Sequence, residues 1–312
     1  MSDESAVTTG GGGGDTSCAL GTDRELSLTG AHDRHVVFRV LWYAANALLI
    51  LSVLAACYSA IWEYSTRRYL KGFSDAIVPE SSSATEKTEA IIDWMAHGPA
   101  RQTTLLATAS PDRDPTDTLN YSSLLQVCGS ATNAFINLAD SAGLPARRLL
   151  LLDSHRMTKH VVAEVLIDGR WIVADPAFRA IPKGPNGALL TRQELADPSV
   201  FAAATSHIAG YDPTYTFDRT AHVRIARFPF LGLAMRNFVD RFVPGLEDTV
   251  LVSLLLERES LAATIITLGL VILLTLVRIA LRWYAERRLG IHPVRVRQQV
   301  RRALNAFVDT AS

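Results

Sequence analysis

Residues 160–176 read HVVAEVLIDGRWIVADP, and the turn in the middle of this stretch decides the fold. Asp168-Gly169 between two runs rich in β-branched and aromatic residues is a strong signal for a two-residue hairpin. With those two residues as the turn, Ile167 faces Arg170, and counting outward sets Val162 opposite Asp175. Opposed residues share a face of the sheet, as do residues two apart on one strand. His160 therefore sits diagonal to Asp175, within hydrogen-bond reach of its carboxylate.

Upstream, Cys128, Ala131, Phe135 and Leu138 recur at helical spacing and form one apolar stripe from Cys128 to Ser141. Gly143 and Pro145 end that helix. Arg147 to Leu152 reads as a buried strand and His160 to Ile167 as a second, with Arg170 to Asp175 returning antiparallel. Further back, Ser83-Ala84-Thr85-Glu86 has the spacing of a capping box. It opens a helix to about His97 with Ile91, Ile92 and Met95 as its apolar stripe. Downstream, Thr191 and Glu194 repeat the capping signature and predict one helix to about Ala204. Phe228 to Phe242, with Arg236 and Arg241 among its aromatics, reads either as an interfacial segment or as a domain helix.

Cys128 falls at the first turn of its helix, where unsatisfied amides and the helix dipole favour a thiolate. A thiolate, an imidazole base and a third group that fixes the imidazole tautomer are what a cysteine nucleophile requires. Taken singly, Cys128 reads as a small core residue, a strand histidine as a satisfied polar group and Asp175-Pro176 as a turn. Their order and the hairpin register make the combination specific. His155, in the loop before the strand, is the rival base. Arg156 and Lys159 read as a solvated loop face or as an attraction for an anionic substrate.

These residues resemble the transglutaminase-like superfamily. The resemblance rests on Cys128-Gly129, Phe135, Leu138, Gly143-Leu144-Pro145-Ala146-Arg147, His160 with Glu164-Val165, then Gly169, Trp171 and Asp175-Pro176, over about 50 residues. Trp94 adds a weaker likeness. It implies an α+β, papain-like or transglutaminase-like core with the nucleophile helix packed on an antiparallel sheet. It also implies acyl transfer on amide bonds: Cys128 as nucleophile, His160 as base and Asp175 as its orienter, through a thioester, with no cofactor. Gln126, Thr132 and Val162 depart from the family's usual residues. Gln126 and Tyr121 are candidates for an oxyanion site, and Glu164 for a supporting hydrogen-bond acceptor. The alternative is a catalytically silent domain that binds or assembles within a cell-envelope complex.

The flanks give the setting. The chain has 312 residues with 31 basic and 31 acidic side chains. An uncharged apolar run, about Val40 to Trp62, and a second from Leu261 to Leu281 are each long enough to cross a bilayer. Residues 1–35, with glycines 10–14, read as a disordered tail. The expected division is a tail to residue 35, a span at 36–62, an extracytoplasmic domain at 63–248, a lead-in and span at 249–283, and a basic tail at 284–312. Residues 278–312 carry eight Arg against Glu286 and Asp309, so both termini are expected in the cytoplasm of a two-pass inner-membrane protein. That basic tail suits anionic lipid better than nucleic acid, for no aromatics interleave it.

Leu54-Ala55-Ala56-Cys57 also fits a lipobox, although about 40 residues precede the apolar run. Cys18 and Cys57 lie outside the expected domain, which leaves Cys128 as its lone thiol and allows no internal disulfide. No internal repeat and no metal-ligand spacing is present. The expected partners are a peptide, protein or other amide-bearing envelope substrate and membrane lipid.

Overall fold

A computed structural model describes residues 19–97, 119, 127–222, 241 and 248–289. The chain divides into two compact units, one of residues 1–54 with 269–312 and the other of residues 55–268. A long helix, α1 (Ala19–Ile77), enters both. It starts before and ends after the span expected at 36–62, and residues 19–35 of the expected tail are helical. The physical reason is cooperativity: extending an existing helix needs no new nucleus. Beyond Trp62, Glu63–Arg67 at 2.5 Å and Lys71–Asp75 are ion pairs at i,i+4 spacing that support the polar continuation.

The second unit is built from shorter elements. Helix α2 (Ala84–Ala96) opens with the expected capping box, in which the Glu86 amide donates to Ser83 Oγ and the Ser83 amide to Glu86 Oε2. Ile91, Ile92 and Met95 are its buried stripe. Helix α3 (Cys128–Ser141) follows, and Gly143 stops it at φ 76°. Then come β1 (Ala146–Leu152), β2 (Thr158–Ile167) and β3 (Arg170–Ala174). The capping box at Thr191 and Glu194 forms as expected, but it opens α4 (Arg192–Leu195), a single turn. A separate helix, α5 (Pro198–Thr205), begins at Pro198 with Asp197 as its cap. One helix was expected here, and Pro198 divides it because proline brings no amide to the preceding turn.

A short β4 (Thr220–Ala221), α6 (Val250–Glu257) and α7 (Glu259–Tyr284) follow, and a π-helical segment at Ala285–Leu289 continues α7. Arg258, at φ −129° and ψ 101°, separates the last two. Of the stretch Phe228 to Phe242, only Arg241 lies within the described residues.

The sheet has the order β3-β2-β1-β4 with antiparallel pairing. The hairpin register is as expected: Ile167 faces Arg170 and Ala163 faces Ala174. Asp168 and Gly169 hold φ values of 48° and 77°, the positive angles of a type I′ turn. One face of the sheet carries Ala163, Val165, Ile172 and Ala174, packed with Ala131, Phe135 and Leu138 of α3 and Ile91 and Met95 of α2. The other carries Leu149, Leu151, Val162 and Val173, packed with Leu195 of α4 and Phe201 of α5.

Two helical stretches, Val36–Ile77 and Glu259–Arg288, are long and apolar enough to cross a membrane. Only 17% and 11% of their most apolar windows are buried, whereas Leu70 and Leu261, toward the domain, join its core. Leu48, Ile50 and Leu54 on α1, with Ile266, Ile272 and Leu276 on α7, are exposed. Within the first unit, the Arg278 guanidinium lies 5.5 Å from the Trp42 ring centre. Within the second, Ser59 and Thr267 share a 2.9 Å hydrogen bond.

Candidate active site

Helix α3 begins at Cys128, with Val127 in extended conformation as its cap. Two contacts fix this first turn. Arg148 of β1 donates from Nη2 to the Gly129 carbonyl at 3.1 Å. One turn along, Thr132 Oγ1 donates to the Val161 carbonyl at 3.1 Å, tying the helix to β2 one residue from His160. Thr132 thus ties the helix to the strand.

His160 is 1% exposed and Asp175 fully buried. His160 Nε2 stands 2.7 Å from Asp175 Oδ2. Asp175 lies one residue past the end of β3, and its other oxygen, Oδ1, accepts the amides of Ala177 at 3.1 Å and Phe178 at 3.2 Å. Tyr211 adds its hydroxyl, donating to Asp175 Oδ2 at 2.9 Å. With three hydrogen bonds from other residues beside the one to His160, the carboxylate has one orientation.

The half-buried Cys128 thiol acts on the same imidazole. Burial by itself would lower the His160 pKa. The hydrogen bonds and negative charges of Asp175 and Cys128 outweigh burial and raise it to about 9. With Nε2 committed to Asp175, Nδ1 is the ring nitrogen left for the thiol. Nδ1 is buried and, among the described residues, holds no hydrogen bond within ordinary limits.

Three aromatic rings close around the imidazole. Tyr215 stacks on it with centroids 4.5 Å apart and planes 2° from parallel. Phe178 meets it edge-on at 5.6 Å and Tyr211 at 6.4 Å. Burial and the neighbouring Asp175 charge push the Tyr211 hydroxyl far up, so it stays a donor. None of these rings was visible as part of a site in the sequence. Tyr211 and Tyr215 lie more than thirty residues beyond Asp175, in a segment with no periodic pattern. A sequence signal for Phe178 exists only in its closeness to Asp175.

Glu164 lies on the His160 face of β2 but meets different partners. It accepts from Arg147 Nε at 2.8 Å, and His222 Nε2 is 2.7 Å away. His222 Nδ1 reaches Asp248 at 2.5 Å. Burial would raise the Glu164 carboxyl, but His222 and Arg147 outweigh it and hold the group below its ordinary value. Glu164 thus stands as a hydrogen-bond acceptor between Arg147 and His222. Gln126 and Tyr121 lie outside the described residues. His155, the rival base, is exposed in the β1–β2 loop, where its amide donates to Asp153. Among the described residues, no group of three or more His, Cys, Asp or Glu is arranged to hold a metal ion.

The family model of the transglutaminase-like superfamily matches residues 71–176, a stretch that contains Cys128, His160 and Asp175. Neither the curated proteins nor the solved structures give a match to this chain. By this family match, the chain carries a transglutaminase-like superfamily domain at residues 71–176, and two of its helices are long and apolar enough to cross a membrane.

Proposed function

We propose that this domain is a cysteine hydrolase or acyltransferase acting on amide bonds, anchored in the cell membrane by α1 and α7. The observation that carries the reading is the convergence of Cys128 and Asp175 on one buried imidazole whose pKa is raised to about 9. An imidazole that keeps its proton at neutral pH is the partner a thiolate needs. The Cys128 thiolate attacks the amide carbonyl carbon and forms a tetrahedral oxyanion. His160 delivers its proton to the departing amine as the C–N bond breaks, which leaves a thioester on Cys128. His160, now neutral, takes a proton from the attacking water or amine, and release of the acyl group restores the ion pair. Asp175 and Tyr211 hold the ring throughout.

In the membrane, this reading has both termini in the cytoplasm and the domain outside, which the basic residues after α7 favour. Substrates are then peptides or other amides of the cell envelope, and the basic C-terminal segment meets anionic lipid. A second reading, a silent domain that binds or assembles within an envelope complex, keeps the fold without turnover.

Thiol alkylation separates the two. In the full chain in detergent, Cys128 is expected to react with iodoacetamide at pH 7 faster than a free thiol. His160→Ala is expected to slow it by about tenfold or more, since an unassisted thiol has a pKa near 8.5. The test reads Cys128 by mass spectrometry, apart from Cys18 and Cys57. Slow labelling that His160→Ala leaves unchanged would defeat the enzyme reading.

A further inference from the structure

The basic side chains of the second unit fall into two groups. Arg147, Arg148 and Arg258 are buried or nearly so, each held against a carboxylate at 2.5 to 2.8 Å. Arg156, Arg192, Arg219 and Lys159 are not consumed in this way. The closest carboxylate oxygens to Arg192 and Lys159 stand at 3.9 and 4.0 Å. Among the described residues the guanidinium groups of Arg156 and Arg219 have no hydrogen bond or ion pair, and both residues are exposed.

Arg156 and Arg219, together with Arg192 and a Lys159 that also donates to Thr214, line one groove. Arg156, Arg192 and Arg219 border a cavity of about 740 Å³, with Asp218 as its acidic wall. Leu152, Ser154 and Arg219 are shared with a neighbouring cavity of about 320 Å³, which adds Lys159 and Tyr215. Thr214, Tyr215 and Thr216 are shared in turn with a third cavity of about 530 Å³, walled by Leu195, Phe201, Ile208 and Tyr211. Tyr215, common to the second and third cavities, has its ring stacked on His160. The groove thus runs from a cationic end, past a point one aromatic layer from the imidazole, to an apolar end.

The cationic end is also pre-formed. Asp153 Oδ1 accepts the amides of His155 at 2.9 Å and Met157 at 2.7 Å. That turn holds Arg156 at φ 58°, a conformation that costs a non-glycine residue free energy. The same bonds occupy Asp153 Oδ1; Glu164 stands 3.9 Å from Arg192 and Asp212 4.0 Å from Lys159, while Arg156 and Arg219 have no carboxylate partner among the described residues.

We infer that this groove binds an acidic peptide segment, its carboxylates at Arg156, Arg192 and Arg219 and a neighbouring apolar side chain in the pocket at Phe201. The inference rests on the amide-cleaving or amide-transferring reading above and names its substrate class. Carboxylates suit planar guanidinium donors, which can bind them through two parallel hydrogen bonds. Contacts remote from the reacting bond are a source of binding energy for placing that bond at Cys128.

The experiment uses the full chain in zwitterionic nanodiscs, carrying Cys128→Ser so that turnover does not intervene. Fluorescein-labelled hexaglutamate and hexaglutamine are titrated and followed by anisotropy. Hexaglutamate is expected to bind about tenfold or more tightly than hexaglutamine, the size of one charge-assisted hydrogen bond or more. Arg156→Ala with Arg219→Ala is expected to weaken hexaglutamate by about tenfold, with the melting temperature unchanged. Arg170→Ala, which removes a surface pair with Glu194 at 2.9 Å, is expected to leave binding as it was. Equal binding of the two peptides overturns the inference. So does hexaglutamate binding that survives the double substitution, which would belong to basic segments elsewhere. Iodoacetamide labelling of Cys128 in the unsubstituted chain keeps the two readings apart. Fast, His160-dependent labelling without charge-selective binding sinks only the groove, and the converse sinks only the chemistry.

Discussion

Two buried polar clusters of the same unit make opposite use of their charges. At the junction of α6 and α7, Arg258 is 1% exposed and donates to Asn137 Oδ1 at 2.9 Å and Asp140 Oδ2 at 2.8 Å, with Glu63 Oε1 at 3.4 Å. Glu63 also takes a hydrogen bond from Ser260 at 2.7 Å, and Glu257 pairs with Arg148 at 2.5 Å and with Asn133. Here fixed charges of both signs are matched, tying α1, α3, β1 and α7 together. At His160 a titratable imidazole, a tyrosine hydroxyl and two amides satisfy the Asp175 carboxylate instead. Burial of charge is common to both clusters. What distinguishes the second is a proton that can move and a ring nitrogen with capacity to spare.

The largest effect is expected where the matched cluster is broken. Arg258→Ala leaves Glu63 and Asp140 without their buried partner and should destabilise the unit by about 3–5 kcal/mol, read as a fall in melting temperature in detergent. A melting temperature close to that of the parent chain would show that water replaces Arg258 easily, and the contrast with the His160 cluster would be lost.

A smaller effect follows the mobile proton. The folded-state pKa of His160 lies above its ordinary 6.5, at about 9. The folded state therefore binds this proton more tightly than the unfolded chain, and the stability that results is full below about pH 6.5. It fades as pH rises and is gone once the folded pKa is passed. The melting-temperature advantage of the parent chain over His160→Gln should shrink across that window. An advantage that grew with pH would reverse the assignment of the ion pair.

The smallest of the three tests the tyrosine. Tyr211→Phe removes one donor from Asp175 and should cost about 1 kcal/mol. Because Asp175 Oδ2 then shares its charge with His160 alone, the pH profile of Cys128 labelling should move upward at its alkaline limb. A loss of stability with no movement of that limb would place Tyr211 among the packing residues only.

How much of this was legible in the sequence depends on how far apart the partners lie. The Ser83–Glu86 and Thr191–Glu194 capping boxes, the Asp168-Gly169 turn and the β2–β3 register are contacts between near neighbours, and each was readable. The helix expected from Thr191 to Ala204 failed at Pro198, where a local signal was present and outweighed by the apolar pattern. Glu164 shares the His160 face as expected, yet its partner His222 lies 58 residues further on, and Asp248, which His222 meets in turn, lies 84 further on. No spacing rule reaches that distance.

The sequence by itself determined the hairpin that sets His160 diagonal to Asp175, the cysteine at the head of a helix, and two apolar runs of membrane-spanning length. Those features follow from turn chemistry, side-chain periodicity and chain length, which act over a few residues. The tertiary structure alone decided that Tyr211 completes Asp175, that Tyr215 lies flat on His160, and that Arg258 is buried between α1 and α3. Packing chooses such partners from the whole chain, and which donor meets which acceptor is fixed only when the elements that carry them are brought together.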